Sequence, residues 1–310
     1  MNGKSIGIGA LTGFLVFLVA YYVAGLYVAV PGATAGTWSA VGAAAFILLA
    51  GAGAMMTANR VSVKATVTVP LIYVFLVAAN PYALHWSEFH PAALLLLSSI
   101  FCYLSFCTDR PSMEYLAGAF FLLGAAGLFV PPLLWLFPLF VLMGVGRTPA
   151  KGKYLVTALF SLALPFLIWG GVTYLRQDFA AASDLLPRLW TGMTDIHPGV
   201  RPFHAVTLAR ILYVMAVTLV ALAHVVRHLN TYKTVQFLAF IRLIAIAAFL
   251  SLMALIFPAD THTPCGLLIC LPVTLLLNEY FVAPGKRRGK VAVIAAAALL
   301  FAAERVSQLL

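Results

Sequence analysis

The chain has 310 residues, of which 63% are hydrophobic and 9% charged, and a mean hydropathy of +1.03. Soluble domains average about 45–50% apolar and about 25% charged residues, so a water-soluble globule, a disordered chain and a collagen-like fibre are excluded. Nineteen Lys plus Arg against nine Asp plus Glu give +10, but these cations cluster in short loops, which points to membrane topology and not to nucleic-acid binding.

Apolar runs long enough to cross a bilayer, about 20 residues each, follow one another along the chain. The predicted spans are Ser5–Val30, Thr37–Thr57, Ala65–Leu84, Pro91–Cys107, Tyr115–Val130, Leu133–Gly146, Tyr154–Tyr174, Ala205–Val226, Leu238–Phe257, Cys265–Val282 and Val291–Leu310. The first is preceded by Lys4 and followed by Ala33-Thr34-Ala35, as in a signal peptide. Its apolar stretch of about 25 residues exceeds the 7–15 of a signal core, so it is expected to remain as a helix. Pro70, Pro165 and Pro272 fall inside spans and predict kinks.

Tyr115 to Gly146 would measure about 48 Å as one helix, against a hydrocarbon core of about 30 Å. Pro131-Pro132 at its middle favours a short hairpin between two spans. Charge decides the parity. With two spans and a cytoplasmic N-terminus, thirteen cations lie inside and only Arg176, Arg188 and Arg201 outside; with one merged span the count becomes seven inside and nine outside. The positive-inside rule selects the first. The expected fold is therefore an all-α polytopic bundle of about eleven transmembrane helices, a single integral membrane domain over 1–310, N-terminus cytoplasmic and C-terminus outside. Residues 175–204 form an outer loop within it. No internal repeat is visible, which removes the usual pointer to an inverted-repeat transporter.

In this topology the scarce polar residues gather outside. Five of the nine acids and five of the seven histidines lie there, together with Trp38, Trp86, Trp135, Trp169 and Trp190. The segment Asn80–Pro91 holds His85, Glu88 and His90, and the short loop Pro258–Pro264 holds Asp260 and His262. These five form a candidate polar cluster suited to acid–base work, although their spacing matches no metal-site template. Arg201 and His204 lead into the eighth span, where Arg210 lies about a turn and a half inside. A cation so placed is costly and should face a polar cavity, and two guanidinium groups could clamp a diphosphate or lipid head group. Arg242 is expected to snorkel to the inner surface. His224 and His228 share a helical face as a polar terminus. The cysteines, paired at five-residue spacing, share no face and serve as small apolar groups. No metal and no cofactor are expected.

From about Asn59 to Tyr174 the order of features resembles an uncharacterised family of polytopic inner-membrane proteins of Bacteroidota. The resemblance is carried by Asn59-Arg60, Asn80-Pro81, Cys107-Thr108-Asp109-Arg110, Gly118 to Phe129 before Pro131-Pro132, and Leu162-Ala163-Leu164-Pro165. It implies an inner-membrane location and a topology, and no mechanism. The expected partners are the lipid bilayer, and with it a lipid-linked substrate or partner membrane helices, but not nucleic acid. Three roles follow as expectations: handling a lipid-linked glycan or isoprenoid phosphate at the outer leaflet, a transporter or permease subunit, and a scaffold packing through the small residues Gly42–Ala45 and Gly51–Ala54. Against a many-span glycosyltransferase, the first outer loop, Pro31 to Gly36, carries no acid.

Overall fold

The computed structural model describes residues 34–61, 68–78, 86–107, 112–147, 149–195, 205–228, 232, 234–256, 259–283, 288–296 and 299. Every element within them is helical: α1 (Thr34–Val61), α2 (Thr68–Ala78), α3 (Phe89–Phe106), α4 (Met113–Phe129), a 3₁₀ turn (Pro131–Trp135), α5 (Leu136–Gly144), a 3₁₀ turn (Val145–Arg147), α6 (Lys151–Leu175), α7 (Phe179–Thr194), α8 (Ala205–Arg227), α9 (Thr234–Ile256) and α10 (Ala259–Val282). Residues 288–296 are helical as well. Four stretches, Gly42–Asn59, Phe89–Phe106, Lys151–Leu175 and Thr234–Met253, are long and apolar enough to cross a membrane. They mark an integral membrane protein. Shorter apolar helices accompany them at Met113–Phe129, Pro131–Arg147, Met215–Arg227 and Leu268–Val282. The predicted first span lies outside the described residues, and so does the last beyond residue 296, apart from residue 299.

The chain divides into two compact units: residues 1–86, 200–233 and 269–310, and residues 87–199 and 234–268. In the second unit α3 and α4 run antiparallel, with Ser99 Oγ donating to the Ala119 carbonyl at 2.7 Å and Gly118 over Cys102 Sγ. Ser112 caps α4 by accepting the Glu114 N–H at 3.3 Å. The chain then turns back at the two prolines. Phe120 meets Phe137 at 5.5 Å and Phe140 at 6.3 Å between ring centroids, whereas in one continuous helix Phe120 and Phe137 would stand about 25 Å apart. The fixed φ of proline and its missing donor explain why the reversal falls here, since Pro131 opens the 3₁₀ turn where a free N–H has no partner.

After a second reversal α6 runs beside α4 in the same direction, Phe120 against Tyr154 and Gly124 against Leu162 and Pro165. A Cβ on Gly124 would collide with the Leu162 carbonyl, so only glycine permits this approach. α9 packs on α5.

In the first unit α1 and α2 pack antiparallel, Gly51 facing Pro70 and Tyr73 and Phe46 facing Trp86 at 5.2 Å. Thr68 Oγ1 donates to Asn278 Oδ1 at 2.9 Å, tying α2 to α10. Tyr213 Oη donates to the Val293 carbonyl at 3.0 Å, tying α8 to residues 288–296.

Two expectations change. Residues 259–264, predicted as part of a loop, are the first turns of α10; an aspartate near a helix start and the absence of glycine let the helix begin earlier than hydropathy suggests. The outer segment 175–204 contains helix α7, which a hydropathy reading misses because its apolar residues form a stripe and not a continuous run.

Candidate functional site

The corner between α6 and α7 sets the site. Gln177 adopts φ 60°, its N–H donates to the Tyr174 carbonyl at 3.0 Å, and the Asp178 N–H donates to the Thr173 carbonyl at 3.0 Å. This is a Schellman closure of α6 with glutamine where glycine is usual. Asp178 then opens α7, its Oδ1 accepting the Ala181 N–H at 3.0 Å. One residue thus ends one helix and begins the next.

α7 lies across the end of the second unit where α3 begins and the proline turn sits. Its Gly192 rests on Pro131, Trp135 Nε1 donates to the Met193 carbonyl at 3.2 Å, and Arg188 pairs with Glu88 at 3.3 Å. Leu189 is buried, whereas Phe179, Leu186 and Trp190 point outward, Trp190 being 71% exposed. At positions i, i+7 and i+11 these three form one apolar stripe, and Asp184 and Arg188 lie on the opposite side of the helix.

Of the predicted outer cluster, Glu88 is exposed and engaged by Arg188. His90 belongs to the first turn of α3 and is 3% exposed, not solvated as a loop residue would be. The Ser87 N–H donates to its Nδ1 at 3.3 Å, with Ser87 Oγ at 3.2 Å from the same nitrogen. His85 lies outside the described residues. Asp260 and His262 lie in α10, and only their backbone is described. Of the predicted clamp, Arg201 and His204 lie outside the described residues, and Arg210 lies on α8 with only its backbone described. Of the predicted cluster, only Glu88 and His90 have described side chains, and of the predicted clamp none has.

In the first unit, the two histidines expected at a polar helix terminus are joined by polar groups not singled out in the sequence. His224 is buried beside His228, with ring centroids 4.4 Å apart, and beside Tyr280 at 5.6 Å; His228 Nδ1 lies 2.8 Å from the His224 carbonyl. Tyr232 Oη reaches Glu279 Oε2 at 3.5 Å. Burial pushes the Tyr232 phenol up to about 12, and the Glu279 carboxylate acts in the same direction. Lys290 Nζ donates to the Ala283 carbonyl at 2.6 Å. Asn278 is fully buried, its Oδ1 held by Thr68 and its Nδ2 without a partner among the described residues. The run Asn278-Glu279-Tyr280, three polar residues closing an apolar stretch, was the signal available in the sequence. No group of three or more His, Cys, Asp or Glu among the described residues could hold a metal ion.

No family profile matches the chain, and neither does any curated protein or solved structure.

Proposed function

We propose that this is an eleven-span protein of a bacterial inner membrane, N-terminus in the cytoplasm and C-terminus outside, that handles a lipid-linked glycan or isoprenoid phosphate at the outer leaflet during envelope assembly. The inner-membrane placement follows the resemblance to the Bacteroidota family, and the orientation follows the positive-inside count. The observation that carries the reading is α7: an amphipathic helix, tied down across one end of a membrane bundle, with an apolar stripe on one side and Asp184 and Arg188 on the other. A helix of this kind suits the head-group zone, where a phosphate carried on a lipid is presented. Arg201, His204 and Arg210, downstream of α7, supply the cations for the phosphate, and His85, Glu88, His90, Asp260 and His262 supply acid–base groups on the same side of the bilayer. Binding of an isoprenoid phosphate to the purified chain tests the reading. Affinity should fall in the Arg201→Ala/Arg210→Ala double variant; unchanged affinity would sink the clamp.

A second reading, a transporter or permease subunit, is favoured by the buried polar groups of the first unit, Thr274, Asn278 and His224, within its shorter apolar helices. Flux into proteoliposomes without turnover of a glycan substrate would select it over the first.

A further inference from the structure

Arg242 stands in the middle of the apolar helix α9, inside a stretch capable of spanning a membrane, and is only 7% exposed. Snorkelling does not describe it. Among the described residues it forms neither an ion pair nor a hydrogen bond. It lies close enough to Tyr103, Cys107 and Tyr154 for its charge to act on all three. The carbonyls beside these groups serve other donors: that of Phe140 takes both Tyr103 Oη at 3.0 Å and Tyr154 Oη at 3.1 Å, and that of Cys107 takes Arg147 Nη2 at 2.7 Å. A guanidinium carries five donors and cannot shed its charge. Left buried without an acceptor it is strongly unfavourable, more so inside a bilayer.

The groups surrounding it are suited to an anion. Arg147, bonded to the Cys107 carbonyl, is a second guanidinium whose charge acts on Cys107. α6 starts beside it at Ala150 with no side-chain cap, and the Lys151 N–H is turned back onto the Pro149 carbonyl at 3.1 Å. Nothing lies within 4 Å of where a side chain on Gly152 would begin. Lys151 and Lys153 are exposed on the same turn, and the described carboxylate at this end, Glu114, is exposed without an ion pair among the described residues. The positive-inside tendency accounts for Lys151, Lys153 and Arg147 as loop cations; it does not account for a buried arginine within a span.

We propose that this end of the second unit, where α3 finishes and α6 begins, binds a phosphate group, with Arg242 as the buried contact, Arg147 as the second guanidinium, and the α6 N-terminus with Lys151 and Lys153 as its rim. Guanidinium groups meet phosphate oxygens in pairs, and free helix-start amides complete such a cradle. The phosphate is either that of an anionic phospholipid head group or one free in solution. The inference does not rest on the outer-leaflet reading, and in that topology this end faces the cytoplasm.

The full chain, purified in detergent and stripped of lipid, is offered two probes: inorganic phosphate at matched ionic strength against chloride, and phosphatidylcholine vesicles with and without phosphatidylglycerol. Thermal stabilisation by phosphate over chloride assigns a soluble phosphate; stabilisation only by the phosphatidylglycerol vesicles assigns the head group. Arg242→Gln should weaken the effective probe about tenfold, as loss of a charge-assisted bidentate contact does. The exposed pair Lys151→Gln/Lys153→Gln should weaken it severalfold, and Arg227→Gln, an exposed cation elsewhere, should not. If Arg242→Gln does not fold, Arg242→Lys, which keeps the charge and loses the fork, takes its place beside the lysine pair. Stabilisation by neither probe, or affinity equal to wild type in both the Arg242 and the lysine variants, overturns the proposal.

Discussion

Gly192 sits directly on the ring of Pro131, and a methyl group at that glycine would come within 2.9 Å of both Cβ and Cγ of the proline. The helix that crosses the end of the second unit is thus seated on the turn that reverses the chain.

Gly192→Val should lift α7 from this seat. Overpacking of a close contact costs about 1–3 kcal/mol, and the hydrogen bond from Trp135 to Met193 goes with it. The thermal midpoint in detergent should fall, and the fluorescence of Trp135 and Trp190 should shift. A midpoint equal to wild type would show that α7 is not held by this contact.

Gln177→Gly should stabilise the chain by about 0.5–1 kcal/mol, because a left-handed backbone penalises a Cβ and not a glycine. Gln177→Val should do the opposite by a larger margin, since branching at Cβ crowds the same conformation. Equilibrium unfolding of the two variants under one condition checks the order.

Thr68→Val removes the donor that satisfies Asn278 Oδ1 and leaves a fully buried amide with no partner among the described residues, at a cost of about 1–3 kcal/mol. Asn278→Leu combined with Thr68→Val should recover most of that loss, because replacing both partners by apolar groups removes the desolvation penalty itself. The double-mutant cycle is read from melting midpoints. Additive losses would mean that the two side chains are not coupled.

Tyr232, with its phenol pushed up to about 12 against an ordinary value near 10, favours its neutral form in the folded chain. Its contribution is complete below pH 10 and is lost as the pH rises from 10 toward 12. Tyr232→Phe should flatten the decline of the melting midpoint over that window and change little at neutral pH. A decline of the same slope in the variant would assign it to other groups.

Single cysteines in a chain lacking the four native thiols test the orientation. Gly152→Cys meets open space and Arg288→Cys is exposed, whereas position 289 is unsuitable because a side chain there would strike the Tyr280 hydroxyl. Both should resist a membrane-impermeant reagent in intact cells, while Ser183→Cys on α7 should react at once. Labelling of the first two in intact cells would invert the topology from α5 onward.

The helical bundle was legible in the sequence because lipid forces backbone polar groups to bond within their own segment, so that hydropathy alone locates most helices. Charge parity and Pro131-Pro132 together pointed to a reversal between Tyr115 and Gly146, and Phe120 against Phe137 gives it a geometry. What escaped was whatever hydropathy averages away. α7 reads as a polar loop because its apolar residues recur at helical spacing, and the start of α10 at Ala259 is hidden by Asp260, Thr261 and His262. The burial of His90 and Arg242 depends on which neighbours face them, and a single residue's type carries no such information. The candidate site was legible only in its ingredients: Glu88 and Arg188 are 100 positions apart, and nothing in the spacing of either one announces the other.

Because Asp178 closes α6 and opens α7, the two helices share a corner with no linker between them. A span that meets a thicker or thinner bilayer adjusts by tilting, and a tilt of α6 bears on α7 as the short arm of a bent lever. Gly192 on Pro131 and Arg188 on Glu88 hold the far arm of that lever, so a tilt of α6 would load these two contacts before it moved the helix.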